Sequence, residues 1–161
     1  MRLGRWIAGP ALAALVLGLA ITGQAEVWTL RLTVIALRAS GFDGVRVLGP
    51  GLFAVGPRSY AVVLACTPVV LTLCGLVLLG LGHQGWRRRL VEGIALLLGG
   101  WTLLVLNTVL SIHLHRTGLS WSWSHYPGLV AVYAVTLSLC LARALRSYGE
   151  VRGGLNSSNR A

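Results

Sequence analysis

Four long apolar runs leave this chain few folds to choose from. A helix needs about 20 mostly apolar residues to cross a bilayer. The stretches from Ile7 to Gly23, Tyr60 to Leu81, Leu90 to Ile112 and Pro127 to Leu145 come up to that length. Only 11% of the 161 residues are charged, where a soluble domain carries about 25%. The pattern predicts an all-α polytopic membrane helix bundle of about four transmembrane helices. The first run follows Arg2 and Arg5 and ends in small residues near Ala25, as a signal peptide does. We read it as a retained anchor, because every later element is membrane-embedded too. Residues 1–147 are then a single transmembrane domain. Residues 148–161, polar and rich in Gly, Ser and Asn, read as a disordered cytoplasmic tail.

The segment between the first two runs has a different texture. Arg31 and Arg38 interrupt the apolar stretch from Val27 to Arg38, which predicts an interfacial or partly inserted helix rather than a clean span. From Gly44 to Pro57, alternating Val45 and Val47 and the Gly49-Pro50-Gly51 break predict a small β-hairpin.

All 14 basic residues are Arg, and the net charge is +10. In a soluble protein that balance points to nucleic acid. Here the arginines serve as topology signals, because cytoplasmic loops are enriched in basic residues, and no nucleic-acid partner is expected. With the N-terminus inside, Arg2, Arg5, the Arg87-Arg88-Arg89 cluster, Arg143, Arg146, Arg152 and Arg160 lie inside. Arg31, Arg38, Arg46, Arg58 and Arg116 then lie outside. Cys66, Cys74 and Cys140 sit within apolar runs without a C-x-x-C pair. That excludes a disulfide scaffold and gives no zinc pattern, so neither metal nor cofactor is expected.

This topology brings distant residues to one depth. Cys66 falls about two turns below the outer end of the second span, Asn107 in the last two turns of the third, and His125 in the outer loop just before the fourth. A thiol becomes a nucleophile when a nearby His takes its proton. The oxyanion that forms needs a donor or a cation, for which Asn107 and Arg116 are the candidates. Each residue also has a plainer reading. Cys66 is small enough to be a packing residue, as Cys74 and Cys140 are read to be, and Asn107 suits a bond between helices. His113 and His115 point to different sides of a helix and read as an interfacial pair. Gly99 and Gly100 suit close helix packing.

The order of these features carries a resemblance. Ala65-Cys66-Thr67-Pro68 is followed by the Arg-rich turn Trp86-Arg87-Arg88-Arg89. Asn107-Thr108-Val109-Leu110 comes near a helix end, and then His125-Tyr126-Pro127-Gly128. The run from Gly41 to Gly128 resembles the exosortase/archaeosortase family of membrane cysteine transpeptidases. The resemblance implies cleavage of C-terminal sorting signals on secreted proteins, each a short motif, a transmembrane helix and a basic tail. The site would face the extracytoplasmic side of a multi-pass plasma-membrane protein. Cys66 would be the nucleophile and His125 the acid/base, with Asn107 and Thr67 as substrate-binding candidates. Two departures stand out. Pro68 replaces the usual Gly, and Leu110 replaces the family's catalytic Arg. Arg116, six residues on and about 9 Å further along a helix, is the candidate replacement. The alternative is a non-catalytic membrane protein of the same fold, acting in substrate binding or in assembly of an export system.

Overall fold

The computed structural model describes residues 4–80 and 86–158. It is mostly helical, with one small sheet. The order is α1 (Gly4–Ile21), α2 (Gln24–Ala39), β1 (Val45–Gly49), β2 (Leu52–Val55), β3 (Arg58–Ala61), a 3-10 turn (Leu64–Cys66), α3 (Pro68–Gly80), α4 (Trp86–Arg116) and α5 (Trp121–Ser158).

Among the described residues, two helical segments are long and apolar enough to cross a membrane: Leu90–Arg116 of α4 and Trp121–Ser147 of α5. Both turn large apolar side chains outward, Leu103 and Leu106 on one, Val130, Val135 and Leu139 on the other. Such a surface is unfavourable in water and suits lipid. A third span exists if α1 and α2 form one broken unit. They meet at Gly23, whose φ of 68° belongs to the left-handed region that Gly adopts without strain, and their axes bend by 77°.

The expected second span, Tyr60 to Leu81, is instead divided. Its first residues are drawn into the sheet, where Tyr60 pairs with Phe53 and Ala61 with Leu52. The helix begins only at Pro68. Proline suits the first helical position and holds the residue before it extended; Thr67 has φ −100° and ψ 156°. As described, α3 is 13 residues long, about 20 Å, short of a hydrocarbon core of about 30 Å.

The expected hairpin gains a third strand and becomes the meander β1-β2-β3. Gly49 pairs with Leu52, leaving Pro50-Gly51 as a two-residue turn, and Gly51 has φ 69°. Val55 pairs with Arg58 around Gly56-Pro57. Gly56 has φ 62°, the conformation that a tight hairpin wants at its first central residue. The segment read as an interfacial helix is α2. Its buried residues Ala25, Thr29, Leu30, Thr33, Val34 and Leu37 recur at helical spacing and form one stripe. Leu30, Val34 and Leu37 of that stripe pack with Phe53, Val55 and Tyr60 of the sheet and Ile112 of α4, and Ala25 packs with Leu12 and Val16 of α1 and Val69 of α3. Trp101 of α4 donates its Nε1–H to Thr29 Oγ1 at 2.8 Å.

Two boundaries differ from the sequence reading. Helix α5 starts at Trp121, ahead of Pro127, because Ser120 caps it: the Ser124 amide reaches Ser120 O at 3.0 Å and the Trp123 amide reaches Ser120 Oγ at 3.5 Å. His125 is therefore in the second turn of a helix and not in a loop. At its other end α5 runs on through Ser158, where a disordered tail was expected from residue 148. Extending an existing helix needs no new nucleus, and the segment contains no proline to stop it. Residues 159–161 of that expected tail lie outside the described residues.

Helices α3, α4 and α5 pack on one another through glycines. A side chain at Gly100 would meet Pro68 and Leu71 at 3.1–3.2 Å, whereas Gly99 has nothing within 4 Å. Gly100→Leu should cost about 1–3 kcal/mol through overpacking and lower the melting temperature in detergent. Gly99→Leu should leave it within a degree or two. Equal effects of the two would contradict this packing.

Candidate functional site

Cys66 ends the 3-10 turn between β3 and α3. Its amide bonds to Val63 O at 2.7 Å. The Thr67 hydroxyl donates to Leu64 O at 2.7 Å, and Tyr133 of α5 donates its phenol hydrogen to Ala65 O at 3.1 Å. The turn is thus held on both sides, and the half-buried thiol faces α5.

There it meets His125. Cys66 Sγ lies 3.6 Å from His125 Nε2, the reach of a sulfur–nitrogen hydrogen bond. The ring's other nitrogen settles which tautomer is present. Ser111 on α4 directs its single hydroxyl hydrogen toward backbone carbonyls, Asn107 O at 2.5 Å and Ser124 O at 2.9 Å. Its oxygen can then only accept from His125 Nδ1, 3.3 Å away. The proton therefore sits on Nδ1, and Nε2 presents its lone pair to the thiol. Trp121, one turn earlier on α5, stacks on the imidazole with centroids 4.7 Å apart and planes 10° from parallel. An indole face also favours the cationic ring that forms when His125 takes a proton.

These groups open into a cavity of about 600 Å³ whose lining includes Arg58, Tyr60, Cys66, Trp121, His125 and Tyr126. A second, apolar cavity of similar volume adjoins it. It shares Ala65 and Leu129 with the first and is otherwise lined by residues such as Leu64, Val70, Val130 and Leu137.

The structure brings Cys66 and His125 together, and it places the other three sequence candidates elsewhere. Asn107 is buried and is not part of the cavity lining. Its Nδ2 donates to the backbone oxygen of His125 at 3.4 Å, and Gly128 packs directly on it, leaving no room for a Cβ. Asn107 thus joins α4 to α5, the bond between helices weighed above, and Gly128 is small so that this joint can close. Thr67 is fully buried, with its hydroxyl spent within the 3-10 turn. Arg116 sits over the ring of Phe42, 4.7 Å from its centroid, and does not line the cavity. Leu110 is exposed and off the lining as well.

Three contributors escaped the sequence reading. Ser111 was legible in principle, since it lies four residues after Asn107 and shares its helix face. Trp121 bears the same spacing to His125. Arg58 gave no sign, because it opens a strand whose later residues read as the start of an apolar span. No family model, curated protein or solved structure matches this chain.

Burial pushes the Cys66 thiol up from its ordinary value, and a backbone hydrogen bond at Val63 opposes this only partly. A raised pKa means that the thiolate appears only at high pH. Alkylation of Cys66 by a neutral reagent should therefore be slow at neutral pH and climb through an inflection above 9.0. An inflection well below that, followed by mass spectrometry of the Cys66 peptide, would show instead a thiolate stabilised in the resting protein.

Proposed function

We propose that this chain is a membrane-embedded cysteine peptidase or transpeptidase that cleaves C-terminal sorting signals of secreted proteins, with Cys66 as nucleophile and His125 as acid/base. One observation carries the reading: the thiol lies 3.6 Å from Nε2 of an imidazole held at its other nitrogen by Ser111, at the wall of an open cavity.

The resting thiol is protonated, so attack and proton transfer go together. His125 Nε2 takes the proton as Cys66 Sγ bonds to the scissile carbonyl carbon. The tetrahedral intermediate collapses, the C–N bond breaks, and the imidazolium returns its proton to the leaving amine. Water or an acceptor amine then attacks the thioester and frees the thiol. The apolar cavity beside Ala65 suits the transmembrane part of the signal, and Cys66 then faces the segment just outside it.

The charge pattern supports one sidedness. Arg87, Arg88 and Arg89 open α4, and the residues of that helix at the site, Ser111 and His115, lie about 35–40 Å further along it, more than the hydrocarbon core of about 30 Å. With the Arg cluster inside, the site is extracytoplasmic. A four-span arrangement in a plasma membrane fits that orientation and would need α1 and the short α3 to cross as well.

A second reading, a non-catalytic protein of the same fold that binds substrate or assists export, draws on the burial that keeps the thiol protonated. Processing of a co-expressed secreted protein bearing a sorting signal separates the two. Cys66→Ala should abolish cleavage while the protein still accumulates. His125→Ala should slow it by about 10²–10⁴-fold, and Cys74→Ala should leave it intact. Cleavage that persists in Cys66→Ala would remove the enzyme reading in favour of the second.

A further inference from the structure

Arg116, the cation that the sequence suggested for Cys66, does not line its cavity, and the folded chain supplies another. Arg58 stands at the first position of β3, directly after the two-residue turn at Gly56-Pro57. That turn is short and conformationally fixed, so the backbone of Arg58 is well placed at the rim. Its Nη1 donates to His115 O at 3.0 Å, bridging from the sheet to the end of α4. Arg58 lines the same cavity as Cys66 and His125.

Its charge is uncompensated. Among the described residues the ion pairs join Arg88 and Arg143 to Glu92, far from this end of the fold, and the cavity lining contains no carboxylate. The bond to His115 engages one edge of the guanidinium. The Nε and Nη2 hydrogens remain, and they form the parallel pair that grips a carboxylate. An exposed, anchored arginine with no ion pair among the described residues, in the same cavity as a nucleophile, is an anion-recognition group.

We propose that Arg58 is the anion-binding residue of the Cys66 cavity, seating a carboxylate of the peptide ligand next to the thiol. The proposal rests on the reading of Cys66 as the reacting residue and adds the ligand's charge.

Two alkylating reagents of nearly equal size test it without a substrate. Iodoacetate carries the carboxylate and iodoacetamide does not. In membranes of the full-length protein, at one alkaline pH and low salt, the iodoacetate-to-iodoacetamide rate ratio at Cys66 should exceed that of glutathione by roughly tenfold, as local charge does in other clefts. High salt should reduce the excess. Arg58→Gln should abolish it, Arg58→Lys should keep most of it, and Arg46→Gln, an equal loss of charge elsewhere on the sheet, should leave it unchanged. An unaltered iodoacetamide rate in Arg58→Gln shows that the site is still folded. A ratio equal to glutathione's in the wild type, or one that survives in Arg58→Gln or falls equally in Arg46→Gln, overturns the proposal.

A competition arm finds the source of the carboxylate. N-acetylaspartate α-amide offers a side-chain carboxylate and N-acetylalanine a chain-end one; the compound that slows iodoacetate at the lower concentration names it. Loss of processing in Cys66→Ala is scored separately. Anion preference can therefore fail while the peptidase reading stands, and the reverse.

Discussion

One aromatic ring touches both halves of the site. Trp121 lies against Tyr60 of β3, with centroids 4.9 Å apart, and stacks on His125 on its own helix. The position of the sheet is thereby passed to the imidazole. The sheet is held in turn by the apolar cluster that joins Phe53, Val55 and Tyr60 to Leu30, Val34 and Leu37 of α2 and Ile112 of α4, with Cys66 at its margin. Truncating a buried aromatic such as Phe53 costs about 3–5 kcal/mol in comparable cores. The cluster's importance here is geometric as well: the catalytic candidates sit on separate elements, and this packing, with the Tyr133 bond to Ala65 O, sets the distance between them.

The apolar surroundings also bear on the state of the thiol. Apolar neighbours desolvate Cys66 and disfavour its anion, which gives weight to the nitrogen that the imidazole turns toward it. The hydroxyl of Ser111 sets that orientation. It has one hydrogen and gives it to carbonyls, and the imidazole must donate to it. A small side chain with no acid or base role therefore decides which face of His125 is basic.

How much of this was readable depends on the kind of signal. Apolar runs located α4 and α5, and the arginine pattern put Cys66 and His125 at one depth, because depth in a membrane follows from order and length alone. The Gly49-Pro50-Gly51 break located the first turn of the sheet. The strand at Arg58–Ala61 was hidden, since Tyr60-Ala61-Val62-Val63 reads equally well as the opening of a span; with it went Arg58 and the true start of α3. The start of α5 was missed because Pro127 is the louder signal and Ser120 the operative one. Arg116 shows the limit of measuring along a helix. Its reach toward Asn107 seemed open in rise, but its side chain meets Phe42, and only the tertiary packing of the segment after α2 decides that.

The far end of the bundle bears on the same contact. Glu92 of α4 accepts from Arg88 on its own helix and from Arg143 of α5, at 3.2 and 3.0 Å. About five helical turns further on, Asn107 and Ser111 of α4 hold the backbone of His125 and Ser124. Two polar ties so far apart fix phase as well as separation. Turning α4 by one residue, about 100°, would carry both ties off their partners together. The two helices therefore act as a keyed shaft: sliding or rolling at either end is felt at the other, and the bearing of the imidazole toward the thiol is set over the whole length of the pair.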